Sequence, residues 1–395
     1  MRTHRAAAAL ALGMTLAGAG ASRAQGFPGE RWPTASPRSV GLNAAVLDSI
    51  DAEIRAGRYG YVDNFLVIRR GKLVFDRRYE HGYDSIYGDS ARAATSLRTG
   101  DRSGPYNYFA AWWHPWYRRG SLHTLQSVTK TVTSIVIGTA VARGEFPSLD
   151  SPVLSFFNPD SVANVDDRKR RMTIRHLLTM TAGLDWDEMR PYGDMANTAI
   201  GLEASYDWVK FTIDRPMMEE PGTRFNYNSG ASELLAHVFQ RATGMDVEEY
   251  AARHLFGPVG IRDWYWKRTP NGVPDTEGGL YLAPEDLARL WYLFLREGQW
   301  NGQQVVTRDW VRQSVAPAVA VGNRPGTNYG LKWWLYRNPT DSTKVMWAGS
   351  GFGGQFPVAI PEQDLVVVVN QWNILPGRPS LPLGRVLARI LNTTH

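Results

Sequence analysis

The segment Gln126-Ser127-Val128-Thr129-Lys130 places a hydroxyl and an amine three residues apart. If it opens a helix, both side chains share a face and lie within hydrogen-bonding reach. A free hydroxyl is a poor nucleophile at neutral pH, and an amine kept neutral by desolvation or nearby positive charge can take its proton. A serine in the first turn of a helix also has backbone N–H groups and the positive dipole end beside it, where an oxyanion would develop. Val132, Ile135, Val136, Ile137, Ala140 and Val141 follow, apolar enough to bury the helix and hold its first turn rigid. Alone the spacing is weak, because any helix-opening serine with a solvated lysine one turn later produces it.

Two further motifs give it company. Pro221 to Gly230 is a loop that leads into the helical pattern Ser232-x-Leu234-Leu235-x-x-Val238-Phe239, and it carries Tyr227, Asn228 and Ser229 on what should be a rigid turn. Tyr227 and Ser229, two apart, can face one cleft. A phenol beside an ammonium has its anion stabilised and can shuttle a proton, although a tyrosine in such a turn also serves simple packing. The third motif, Gly349-Ser350-Gly351-Phe352-Gly353-Gly354-Gln355, fits a dinucleotide fingerprint by letter. That fingerprint must open a helix, whereas here Pro357 and a strand follow. A glycine-dense strand edge instead lets a ligand approach the backbone, or makes a bulge without one.

The elements that must position these motifs are legible as hydrophobic periodicity. Leu42 to Ile54 has helical spacing, Phe65–Ile68 and Leu73–Phe75 flank a turn at Arg69 to Lys72, and Trp333–Tyr336, Val345–Trp347, Phe356–Ile360 and Leu365–Val369 read as strands near the other end. Ser127–Arg143, Ile174–Met180, Ser232–Thr243, Pro284–Arg296 and Leu383–Leu391 read as helices. The expected fold is α/β (α+β): one antiparallel sheet built from both chain ends, spanning about 42–120 and 280–395, with a mainly helical insertion at about 121–279 and a cleft where the parts meet.

The chain of 395 residues has no cysteine, which excludes thiol nucleophiles, disulfides, iron–sulfur clusters and thiolate zinc sites. Met1 to Arg5 is positively charged, Ala6 to Ala21 is apolar, and Ser22-Arg23-Ala24 offers small residues before a cut, so residues 1–24 read as an export signal. Sixteen residues rich in Ala and Gly fall short of the roughly 20 that a membrane span requires. Removing the leader's three arginines halves the formal charge of +6, leaving one nearly balanced domain over 25–395, periplasmic or secreted and without a membrane span. No basic run is interleaved with aromatics as a nucleic-acid groove would need. His114, His123 and His176 lack metal-ligand spacing, and Arg168 to Arg171 reads as a solvated run.

Taken in chain order, the three motifs resemble those of the penicillin-recognising serine hydrolases, in the class C β-lactamase-like branch. Thr173 to Leu184, Leu255 to Ile261, and Gly278-Gly279-Leu280 with Pro284 to Arg289 are similar to further stretches of that branch. The likeness implies Ser127 as acylated nucleophile, Lys130 as base, Tyr227 as proton relay, and the N–H groups of Ser127 and Phe352 as oxyanion hole. It also implies Ser350, Gly351, Asn228 and Ser229 as neighbouring substrate-binding residues, and neither metal nor cofactor. Where β-lactamases and peptidoglycan peptidases carry Lys-Thr-Gly, this chain has Gly349-Ser350-Gly351, without the cation that helps bind a carboxylate. Ser229 stands where class C β-lactamases show Asn. Both departures resemble the amide- and ester-cleaving members, 6-aminohexanoate-dimer hydrolase and the carboxylesterases among them.

Tyr106 to Arg119 is dense in aromatics that follow neither a strand nor a helix period, so Trp112 and Trp113 either wall an acyl pocket or serve plain packing. The reading is therefore a serine hydrolase of small esters or amides. A β-lactamase or D-alanyl-D-alanine peptidase is the alternative if a cation from elsewhere lies beside Ser350. A non-catalytic binding relative is the third.

Overall fold

The computed structural model describes residues 26–322 and 324–392, so the expected leader lies outside the described residues. β1 (Val62–Arg69) and β2 (Lys72–Arg78) form the expected hairpin. The far end supplies β3 (Val319–Ala320), β4 (Thr327–Tyr329), β5 (Trp334–Arg337), β6 (Val345–Ala348), β7 (Phe356–Ile360) and β8 (Leu365–Gln371). They join in one sheet, ordered β2-β1-β8-β7-β6-β5-β4-β3, with every neighbouring pair antiparallel. The two chain ends meet at β1 and β8, with Leu66 opposite Val368 and Val67 opposite Val367.

Both of these strands are buried along their whole length, which is why they read as continuous apolar runs rather than alternating ones. Their side chains divide by parity. Phe65, Val67, Val367 and Val369 join α1 (Ala44–Arg55) and the C-terminal helix Leu383–Leu391 in one cluster. Leu66, Ile68, Val366 and Val368 join α3 (Val128–Ala142), α4 (Gly230–Thr243) and α5 (Pro284–Leu295) in the other, so the sheet lies between two helical layers. α2 (Tyr83–Arg92) lies to one side. Side chains from Val128 to Ala140 are all buried, and each large apolar one contributes about 1.5–3 kcal/mol relative to exposure. Gly138 sits where a Cβ would come within 2.3 Å of the Trp310 ring, so only glycine lets that ring lie against α3.

The main sheet takes its strands from 62–78 and 319–371 only. Residues beyond β2 form α2 and turns that pack as a separate apolar cluster around Tyr87, Tyr108, Phe109 and Trp372. α2 contains Gly88 and two serines, which weaken its pattern, and β3 and β4 are too short to show a period. No helix among the described residues is long and apolar enough to cross a membrane.

Candidate active site

Ser127 is held from both sides. The short strand His123–Thr124 pairs with Leu280–Leu282, and the Leu125 N–H donates to the Leu280 carbonyl at 2.9 Å. α3 begins at Val128. Between them Gln126 takes φ 48°, a left-handed backbone that non-glycine residues rarely adopt, and its amide donates to Thr124 Oγ1 at 2.8 Å. This turn presents Ser127 to a cavity of about 270 Å³, lined also by Glu188, Tyr227, Trp334, Ser350 and Phe352.

Lys130 is buried below it. Its Nζ donates to Ser127 Oγ at 2.8 Å, to the Glu277 carbonyl at 2.6 Å and to Glu277 Oε2 at 3.2 Å, which uses all three protons of an ammonium. Burial pushes the lysine pKa down, but Tyr227, Glu277 and Glu188 together outweigh it and hold the group above the ordinary lysine range. For Glu277, burial raises the pKa, and the Lys130 and Lys267 cations more than offset it. Tyr227 stacks on Trp334 with centroids 5.8 Å apart, lies 5.3 Å from Lys130 Nζ by its ring centroid, and directs its hydroxyl toward Ser127. Burial raises the phenol pKa and Lys130 opposes the rise without cancelling it. The resting site is therefore an ammonium, a phenol and a hydroxyl in mutual contact.

The structure brings Ser127, Lys130 and Tyr227 together, and it places their expected companions differently. Asn228 and Ser229 are buried behind Tyr227 and do not line the cleft. Asn228 Oδ1 accepts from Ala231 N at 2.9 Å, fixing the start of α4. Ser229 gives its N–H and hydroxyl to Glu188, at 2.7 and 2.6 Å. Glu188 also accepts from Trp186 Nε1 at 2.8 Å and from the Tyr192 hydroxyl at 2.7 Å, so one carboxylate ties the tyrosine turn to the opposite wall. No motif marks Glu188 in the sequence.

The glycine-rich segment is a tight turn pressed against Ser127. A Cβ on Gly351 would lie 2.5 Å from the Leu125 carbonyl oxygen, and Gly353 and Gly354 take φ of 79° and 108°. Among the described residues the N–H groups of Ser127 and Phe352 have no acceptor, and both residues line the cleft. Two free donors on one cleft, that of Ser127 at the opening of a helix and that of Phe352 in the glycine-rich turn, can stabilise a developing oxyanion. Ser350 and Arg324 both stand beside the Tyr336 hydroxyl. The Arg324 guanidinium lies 5.2 Å from the Trp334 ring, lines the cleft, and has no carboxylate partner among the described residues. A cation distant in sequence thus stands near Ser350.

Trp112 and Trp113 lie away from this cleft. Trp112 is half exposed, while Trp113 stacks on Tyr265 and donates its indole N–H to Ser103. The packing of Trp113 follows from its cluster with Tyr117, which stacks on Tyr265 at 3.9 Å. His114 is stacked on Trp372 and bonded to Tyr281, His123 pairs with Asp63 at 3.0 Å, and His176 accepts from Thr173 N.

A buried charged group lies behind Lys130. Lys267 and Asp275 pair at 3.3 Å with both side chains fully buried. Glu233 accepts from Thr276 N, Thr276 Oγ1 and Glu277 N, each at 2.9 Å, and burial with Asp275 nearby holds its proton well above the usual carboxylate range. It thereby fixes the backbone whose carbonyl holds Lys130.

The β-lactamase family model matches residues 55–385, and the chain belongs to that family. It is 25% identical over 281 residues to 6-aminohexanoate-dimer hydrolase of Paenarthrobacter ureafaciens, covering 65% of this chain and 69% of that protein. It is 30% identical over 154 residues to esterase EstB of Burkholderia gladioli, covering 37% and 38%. The match to monacolin J acid methylbutanoyltransferase of Aspergillus terreus, 28% identical, spans 36% of this chain and only 37% of that protein. Among solved structures, the hydrolase EstCE1, described as having promiscuous acyltransferase activity, superposes with a TM-score of 0.64 at 16% identity, covering 91% of this chain and 99% of that one. A penicillin-binding protein homologue from Caulobacter crescentus gives 0.62 at 14%, covering 92% and 99%. The family match and these superpositions give the chain the β-lactamase/transpeptidase-like fold.

Proposed function

We propose that the protein is an exported serine hydrolase of the class C β-lactamase-like branch, cleaving a small ester or amide through an acyl-enzyme on Ser127. The observation that carries this reading is the convergence of the Ser127 hydroxyl, the Lys130 ammonium and the Tyr227 phenol beside two free N–H donors. Lys130 and Tyr227 titrate as one unit, and the reactive form is the pair after losing one proton. As Ser127 Oγ bonds to the substrate carbonyl carbon, its proton passes to that pair, and the carbonyl oxygen takes negative charge facing the N–H groups of Ser127 and Phe352. Collapse breaks the bond to the leaving group, which receives the proton held by the pair. Water then repeats the sequence at the acyl carbon and returns the proton to Ser127. Export rests on the charged, apolar and small-residue order of residues 1–24.

The test is a fluorophosphonate probe read by mass. A single adduct that disappears in Ser127→Ala is expected, and the absence of any adduct overturns the reading. A panel of p-nitrophenyl esters, linear amides and a chromogenic cephalosporin then ranks the substrate classes. The cephalosporin and peptidase substrates belong to a second reading, favoured by Arg324 standing near Ser350. Under it, Arg324→Ala lowers kcat/KM at least about tenfold for carboxylate-bearing substrates and leaves neutral esters unchanged.

A further inference from the structure

We propose that the hydrocarbon part of the acyl group on Ser127 lies in a second cavity that adjoins the catalytic cleft across Phe352. This rests on the acyl-enzyme reading above. The second cavity measures about 550 Å³ and shares the Phe352 and Tyr192 side chains with the Ser127 cleft. Its other walls come from Ala94 and Leu97 after α2, from Phe109, and from Leu375 beyond β8.

The leaving group must receive a proton from Tyr227 or Lys130, so it occupies the side of Ser127 where Tyr227 and Trp334 stand. Those two residues border the Ser127 cleft and not the second cavity. The acyl substituent points the other way, past the Phe352 N–H that holds the carbonyl oxygen. The lining chemistry selects a neutral, apolar occupant. No charged side chain lines the second cavity among the described residues. Its buried polar member is satisfied internally, since the Ser96 hydroxyl donates to Tyr192 O at 2.8 Å, and Asn373 binds Tyr61 N, Tyr59 O and Gln371 Oε1, which leaves the hydroxyls of Ser90 and Thr95 toward the exposed rim. The volume falls within the range of small-molecule sites, roughly 300–1,000 Å³. The aromatic stretch before Ser127 thus contributes to acyl binding through Phe109 rather than through Trp112 or Trp113.

The experiment measures kcat/KM for p-nitrophenyl acetate, butyrate, hexanoate and octanoate in the wild type and in Leu375→Trp and Ala94→Trp. Ala94 is exposed and Leu375 half buried, so both positions tolerate a larger ring without disturbing the core. In the wild type, kcat/KM rises with chain length by up to about fourfold per methylene. Each tryptophan lowers octanoate hydrolysis at least about tenfold and leaves acetate within about twofold. A flat chain-length profile, or equal losses for acetate and octanoate, overturns the assignment of the second cavity while fluorophosphonate labelling of Ser127 keeps the hydrolase reading standing. No labelling removes both.

Discussion

Lys130 meets Glu277 twice, through the backbone carbonyl at 2.6 Å and through the carboxylate at 3.2 Å, and gives its remaining proton to Ser127. The carboxylate is what distinguishes this arrangement from a lysine held by backbone alone. Burial opposes the ammonium, and this carboxylate, together with Tyr227 and Glu188, outweighs it. Activity that needs the Lys130–Tyr227 pair to lose a proton should therefore rise toward alkaline pH. In Glu277→Gln the ammonium loses an opposite charge within hydrogen-bonding distance, so the acid limb of kcat/KM moves to lower pH by about one unit or more. Glu277→Asp, which keeps the charge, moves it less. A pH-rate profile for an ester substrate checks this, and an acid limb unchanged in the glutamine variant contradicts it.

Tyr227 separates proton transfer from packing. Its ring stacks on Trp334 and faces Lys130, contacts that phenylalanine keeps, while only the hydroxyl reaches Ser127. Tyr227→Phe should lower kcat by about 10²–10⁴ with little change in Tm. Stopped assays and thermal melts on the same preparation decide the point; a Tm loss with activity within about tenfold of wild type would assign the residue to packing.

The strands and long helices were legible because their apolar runs carry a period or a sustained burial signal, as β8 and α3 do. The Ser127, Lys130 and Tyr227 set was legible because it follows a short spacing and a glycine- and asparagine-rich turn. Glu188 and Arg324 were not. Each acts through a residue outside its own loop, Glu188 through Ser229 and Arg324 through Tyr336, and a single polar residue in a loop carries no periodicity. Glu277 had a faint signal, standing directly before Gly278-Gly279-Leu280. Asn228 and Ser229 were drawn into the cleft by adjacency to Tyr227, although helix capping claims one and a buried carboxylate claims the other.

Glu188 allows a sharper test of that turn. Its carboxylate accepts four hydrogen bonds, two of them from hydroxyls that can rotate to accept instead. A glutamine can point its amide nitrogen at Ser229 Oγ and Tyr192 Oη and its oxygen at Ser229 N and Trp186 Nε1. Glu188→Gln should then cost about 1 kcal/mol or less, whereas Glu188→Ala strands buried donors and costs about 3 kcal/mol. Urea unfolding of the two variants compares these costs. Equal losses would mean that the charge, rather than hydrogen-bond satisfaction, holds the turn.

Glu203 gives the fold a pH dependence of its own. Its carboxyl accepts from Tyr108 at 2.6 Å and Thr99 at 2.8 Å, and burial, reinforced by the charge of Glu277, pushes its pKa up to about 8. The unfolded chain releases this proton near the ordinary value of 4.5, so between that value and about 8 the folded state binds the extra proton. Stability from this group is present at low pH and is lost as pH rises through that window, with a ceiling of about 1.4 kcal/mol per pH unit. Glu203→Gln stays neutral in both states and removes the slope. Urea midpoints measured across the window should fall with rising pH in the wild type and fall less in Glu203→Gln; parallel profiles would place the pH dependence elsewhere in the buried charged group.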